Sequence, residues 1–151
     1  MTELAKYVDK DCIKIECSFD SWEDVLMNAG KLLEDKGYIN HNYTKDMIEL
    51  VKKCGPYIVV MPEIALGHAR PNGNVNENSI AIVKIKDGVS FGHPTNDPVK
   101  LLFAIAAVND EKHLELFQSI ADYLMTGDNL IKIMNCQTSE EIMKEITNEQ
   151  N

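Results

Sequence analysis

A chain of 151 residues that is 44% hydrophobic and 26% charged has the size and balance of a single domain, 1–151, able to bury a core without disulfides. Its net charge of −9 excludes nucleic acid as a partner, since a phosphate backbone demands a basic face, and admits docking to a basic protein. No apolar run approaches the ~20 residues of a membrane span. The opening MTELAKYVDK lacks a signal peptide's apolar segment, so a cytoplasmic protein is expected.

Residues 11–19 (DCIKIECSF) alternate, with Ile13, Ile15 and Cys17 on one side, and read as a short strand. Asp20 or Ser21 then caps a helix in which Trp22, Val25, Leu26, Ala29, Leu32 and Leu33 recur at helical spacing, until Lys36-Gly37 stops it. Trp22 on that stripe is expected in the core. Residues 40–54 form a second helix with Tyr43, Met47, Val51 and Cys54 down one face, ended by Gly55-Pro56. The apolar run 57–61 reads as a buried strand. Pro62 and a short apolar step lead from it into Gly67-His68-Ala69-Arg70-Pro71, where Gly67 is expected to supply a backbone conformation closed to other residues.

Residues 72–78 (NGNVNEN) form a polar loop, 79–85 a β-branched strand turned by Asp87-Gly88, and 89–98 (VSFGHPTNDP) a second loop. The run 99–108 is apolar on both faces, as a central strand covered on both sides would be. Residues 110–125 follow as a helix with Leu114, Phe117, Ile120, Ala121 and Leu124 inward. Gly127-Asp128-Asn129 breaks it, a short helix comes next, and Thr138-Ser139-Glu140-Glu141 caps a last one through Ile146. The tail 147–151 is expected to fray. Strands alternating with helices give an α/β fold: a mixed β-sheet of about four or five strands flanked by helices.

Cys12, Cys17, Cys54 and Cys136 are scattered with no C-x-x-C, which suggests neither zinc nor a redox pair and leaves buried free thiols as the expected state. Metal-ligand spacings, P-loops, dinucleotide fingerprints and serine elbows are absent from the sequence, so no metal or cofactor is expected. What remains is histidine as a covalent nucleophile. His68 on its turn, two residues before Arg70, pairs a group that titrates near neutral pH with a fork matched to phosphate. The same residues also fit a loop histidine bonded to backbone beside a surface arginine. His113, early in a helix that follows a buried strand, fits an exposed polar residue of the first turn and equally a group facing the His68 turn, since ligands of α/β sheets gather beyond the strand ends. Nothing marks out His41, and His93 in its proline-rich turn reads as structural.

The run GPYIVVMPEIALGHARP, a polar loop, and FGHPTNDPVKLLFAIAAVNDEKHLELFQSIADYL together resemble the enzyme IIA proteins of the bacterial sugar phosphotransferase system. The branch is the mannitol/fructose type and, within it, the ascorbate-type subgroup. The resemblance covers about residues 22–124. It implies a mixed sheet flanked by helices and a phosphocarrier activity. His68 would accept a phosphoryl group from phospho-HPr and pass it to a cysteine of the enzyme IIB component, with the membrane component IIC an indirect partner. His113 matches the family's second active-site histidine, which stabilises the phosphorylated form, and Arg70 is placed to bind phosphoryl oxygen.

Two departures from the family pattern stand out. Gly67 replaces the usual proline before the active histidine. The arginine late in the second helix of mannitol-type relatives is missing from Ile48-Glu49-Leu50-Val51-Lys52, so either Arg70 or Lys52 substitutes or the site works without it. Ile64, Leu66 and Phe91 are candidates for an apolar docking surface. The alternative function is a regulatory enzyme IIA-like module that signals by phosphorylation-dependent protein binding. The sugar stays open among ascorbate, galactitol, fructose and pentitols, and a monomer or loose dimer is expected.

Overall fold

The computed structural model describes residues 2–148. Two 3-10 turns, Leu4–Tyr7 and Lys10–Cys12, precede β1 (Ile13–Glu16), α1 (Trp22–Asp35), α2 (His41–Cys54), β2 (Val59–Met61) and β3 (Ile64–Gly67). β4 (Ser79–Val89), β5 (Val99–Ala106), α3 (Asp110–Met125), α4 (Asn129–Met134) and α5 (Ser139–Thr147) complete the chain order. Four helices begin at a polar side chain that accepts a backbone N–H of the first turn. Ser21 takes that of Asp24, Asn40 that of Tyr43, Asn109 that of Lys112 and Thr138 that of Glu141. Each such cap is worth about 1 kcal/mol. α2 stops at Gly55, whose φ of 85° lies in the left-handed region.

The strands form one mixed sheet in the order β1-β4-β5-β3-β2. β1 runs parallel to β4 and β3 parallel to β5, whereas β4 and β5, and β2 and β3, are antiparallel. β5 is the middle strand and is buried along nearly its whole length, as an apolar run interrupted only by Lys100 predicts. Leu102 and Ala104 face a core with Leu26, Leu33, Tyr43 and Met47 of α1 and α2. Phe103 and Ile105 face another, with Leu116 and Ile120 of α3, Ile133 of α4 and Ile142 of α5. Helices therefore cover both faces of the sheet.

Several expectations are corrected. The run 57–61 is not a buried strand: β2 is a three-residue edge, with Tyr57 43% and Val60 50% exposed. The buried strand is β3, which the sequence hides as a short apolar step. Gly67 needs no unusual φ, because it ends extended β3. A Cβ there would meet Leu26 Cδ2 at 2.9 Å, so close packing against α1 explains the glycine. β4 continues past Asp87-Gly88 through an irregularity in its pairing with β5, with Gly88 at φ 75°.

α3 has the expected bounds, and Ile120 and Leu124 point in as expected with Phe117 packed against the same core, but Leu114 is 71% exposed and Ala121 lies outside, and Leu116, Ser119 and Tyr123 complete the buried face. Trp22 is half-buried, stacked near Phe91 with ring centroids 6.0 Å apart. Cys12 and Cys136 are buried free thiols, as expected, but Cys17 and Cys54 are exposed. The tail expected to fray, 147–151, lies outside the described residues except for Thr147, which closes α5, and Asn148.

Candidate active site

Parallel pairing of β3 with β5, Gly67 opposite Ala104, opens the C-terminal ends of both strands on the same edge of the sheet. His68 follows β3 directly. The chain leaving β5 enters α3 three residues later and presents His113 on its first turn. Topology thus brings together two histidines 45 positions apart: their ring centroids are 5.3 Å from each other. Phe117, one helical turn beyond His113, packs edge-on against both, with centroids at 5.0 Å from His68 and 4.8 Å from His113.

The turn itself is held from behind. Tyr43 of α2 is fully buried, and its hydroxyl donates to the Ile105 carbonyl at 2.6 Å while accepting the Ala69 N–H at 3.0 Å. The residue next to His68 is therefore tied to the end of the central strand. On His68, Nδ1 lies 2.8 Å from the Leu66 carbonyl, which can only accept, so Nδ1 carries the proton. Nε2 is left with the lone pair, and the Tyr57 hydroxyl approaches it at 3.4 Å. Burial lowers the pKa of His68 below the ordinary 6.5, opposed by the Leu66 carbonyl. Burial, then the neighbouring His68, lowers that of His113, against a contrary pull from Asp110. Near neutral pH both rings are uncharged, the nucleophilic form of an imidazole. His113 Nε2 is buried without a hydrogen-bond partner among the described residues.

A cavity of about 720 Å³ opens beside this pair, lined by both histidines, Tyr57, Leu50, Arg70 and Lys53. Asp46, Glu49 and Asp110 also line it, so the walls carry both signs of charge. Lys53 and not Lys52 is the lysine of α2 that reaches the cavity; Lys52 lies 3.5 Å from Glu49 in an exposed pair. Neither Arg70 nor Lys53 is ion-paired among the described residues. Ile64, Leu66 and Phe91 are buried at 1%, 7% and 5%, which removes them as a docking surface. His41 sits by Glu34 at 3.1 Å, and His93 Nδ1 accepts the N–H groups of Thr95 and Asn96, closing its own turn. Sequence reasoning missed Tyr57 and Lys53. No local signal marks Tyr57: it reaches His68 through the antiparallel run of the stretch before β2 alongside β3, where the Leu66 N–H donates to the Ile58 carbonyl.

The profile of the phosphoenolpyruvate-dependent sugar phosphotransferase system, EIIA 2, matches residues 6–149. The chain belongs to this family. The enzyme IIA component it represents is a phosphocarrier, moving a phosphoryl group between HPr and an enzyme IIB component of a sugar phosphotransferase system. Among curated relatives, the ascorbate-specific EIIA component of Shigella boydii serotype 4 is 28% identical over 132 residues, 87% of this chain and 86% of that protein. That of Salmonella typhimurium is 26% identical over 136 residues, 89% of this chain and 88% of its own length. The structure of the mannitol-specific cryptic phosphotransferase enzyme IIA CmtB from Escherichia coli is similar with a TM-score of 0.87 at 23% identity, covering 97% of this chain and 99% of that one. IIA mannitol from Escherichia coli gives 0.79 at 21%, covering 91% of this chain and 97% of its own. These structures share the fold derived above. No helix among the described residues is long and apolar enough to cross a membrane.

Proposed function

We propose that in this enzyme IIA component Nε2 of His68 is the phosphoryl acceptor, with His113 the group that stabilises the phosphorylated form. The observation that carries the reading is the locked tautomer: the Nδ1–H donates to the Leu66 carbonyl at 2.8 Å, so the lone pair is on the nitrogen that faces Tyr57 and the cavity. In the step, Nε2 attacks phosphorus of phospho-HPr; the new N–P bond forms as the donor's N–P bond breaks, and the donor imidazole departs with that electron pair. A cysteine thiolate of the IIB component then attacks the same phosphorus, an S–P bond forms, and His68 recovers its lone pair. His113, with its proton on Nε2, donates to a phosphoryl oxygen and so satisfies an otherwise unpartnered buried nitrogen. Arg70 and Lys53 on the cavity wall supply positive charge for phosphoryl transfer, which rests mostly on positioning and electrostatics. The chain works as one domain, monomeric or loosely dimeric, without metal or nucleic acid. The names of the curated relatives support an ascorbate-type uptake system as its setting.

Intact mass after mixing with phosphoenolpyruvate, enzyme I and HPr tests the assignment. The expected result is one added phosphoryl group, lost in mild acid and absent from His68→Ala. Normal labelling of His68→Ala moves the nucleophile elsewhere, and no mass shift in the unaltered protein overturns the reading.

A further inference from the structure

We propose that Tyr57 is a further catalytic residue of the phosphoryl relay: its hydroxyl caps the His68 lone pair before transfer and hydrogen-bonds a phosphoryl oxygen after it. The inference rests on His68 Nε2 being the acceptor. Because Nδ1 of His68 is committed to Leu66, Nε2 can only accept, and the hydroxyl at 3.4 Å is therefore the donor. The Tyr57 ring stands edge-on to the imidazole, at 87° and 5.5 Å between centroids. Its position is set by backbone, since the adjacent Ile58 carbonyl accepts the Leu66 N–H at 2.8 Å.

The length of the contact matters. An O–H···N bond at 3.4 Å is weak, so it orients the lone pair without consuming its nucleophilicity, and an incoming phosphorus displaces it readily. Once phosphorus is bonded to Nε2, its oxygens occupy the space the hydroxyl now faces, and a small rotation of an exposed side chain restores a donor–acceptor pair. The phosphoryl group then lies between two uncharged donors, the Tyr57 hydroxyl and His113 Nε2. Both cations of the cavity, Arg70 and Lys53, come from elements other than the strand edge that carries Tyr57. Neutral donors hold the group in line and add less stabilisation than a further cation beside Arg70 and Lys53 would, which keeps it transferable. Tyr57 is 43% exposed, so the ring also shades the N–P bond from water while leaving a protein partner access.

The test is Tyr57→Phe, which keeps the ring and removes only the hydroxyl at an exposed position. The variant is phosphorylated with phosphoenolpyruvate, enzyme I and HPr, then purified from them, and loss of the group is followed by intact mass beside the unaltered protein. About tenfold faster hydrolysis is expected, the size of one charge-assisted hydrogen bond to phosphoryl oxygen. Nuclear magnetic resonance titration of His68 in the unphosphorylated variant supplies a second readout. Loss of a donor to the neutral ring raises its pKa, and the nitrogen resonance of Nε2 in the neutral form moves toward that of an uncapped imidazole, which loosened packing alone would not produce. Hydrolysis at the unaltered rate, with the His68 titration unmoved, overturns the role of Tyr57. Labelling of His68→Ala in the same experiment overturns instead the reading on which it rests, so the two failures are distinct.

Discussion

His68 and His113 share a burial-lowered pKa, and that property reaches beyond the chemistry into stability. Below pH 6.5, the ordinary value for both, the unfolded chain takes up protons that the folded one refuses. Stability therefore falls as the pH drops through 6.5 and goes on falling until the depressed folded values are reached. Above 6.5 neither ring contributes to the pH dependence, since both are neutral in either state. Replacing His113 by Gln removes one of the two refused protons, and also relieves His68 of a like-charged neighbour at low pH. Urea midpoints measured at pH 7.5, 6 and 5 are expected to fall more steeply for the unaltered protein than for His113→Gln. Parallel curves would place the acid sensitivity in other groups. The same depression has a functional side: the neutral, nucleophilic form of His68 persists to a lower pH than in a free imidazole.

At the scale of elements, α1 and α2 are locked together at one point, where Gly30 meets Thr44. A Cβ on Gly30 would stand 2.2 Å from Thr44 Oγ1 and 2.4 Å from its Cγ2, and Oγ1 already donates to Glu34 at 2.6 Å. Gly30→Ala gains helix propensity of about 1 kcal/mol but forces a branched side chain or the helix itself to move, which at so short an approach costs about 2–3 kcal/mol. A net loss of about 1–2 kcal/mol in denaturant unfolding is expected, with phosphoryl acceptance impaired because α2 carries both Tyr43 and Lys53. Unchanged stability would show that the helix crossing yields.

The same scale explains what the sequence discloses. Capped helices with apolar stripes, α1, α2, α3 and α5, are legible because their signals are local. β3 is not: four residues buried on both faces have no alternation, and the Pro62-Glu63 turn before them hides the strand start, with Glu63 itself at φ 71°. The phase of α3 slips because Ser119, which satisfies its hydroxyl on the Leu116 carbonyl, is buried where its polarity argues for exposure, while Leu114 does the reverse. His68 and His113 are visible as residue types. Their 5.3 Å approach is a product of parallel pairing between β3 and β5, which no local signal encodes.

Over the whole molecule, a chain with a net charge of −9 gathers Arg70 and Lys53 with Asp46, Glu49 and Asp110 around one cavity beside His68 and His113. Long-range attraction to a partner with a basic face steers encounter and is screened by salt, whereas the chemistry inside the site is not. Apolar side chains offer a second means of docking: Tyr57 lines the cavity, and Leu114, next to His113, is 71% exposed. The two contributions separate on changing ionic strength from about 0.1 M to about 1 M, which shortens the screening length from ~10 Å to ~3 Å. With phospho-HPr prepared beforehand, so that enzyme I plays no part, acceptance at subsaturating concentration is expected to slow several-fold. Hydrolysis of the isolated phosphoprotein should hold steady across the same range, because no encounter is involved. A salt-independent acceptance rate would transfer docking to the apolar side chains, and Leu114→Glu would then become the variant that stops it.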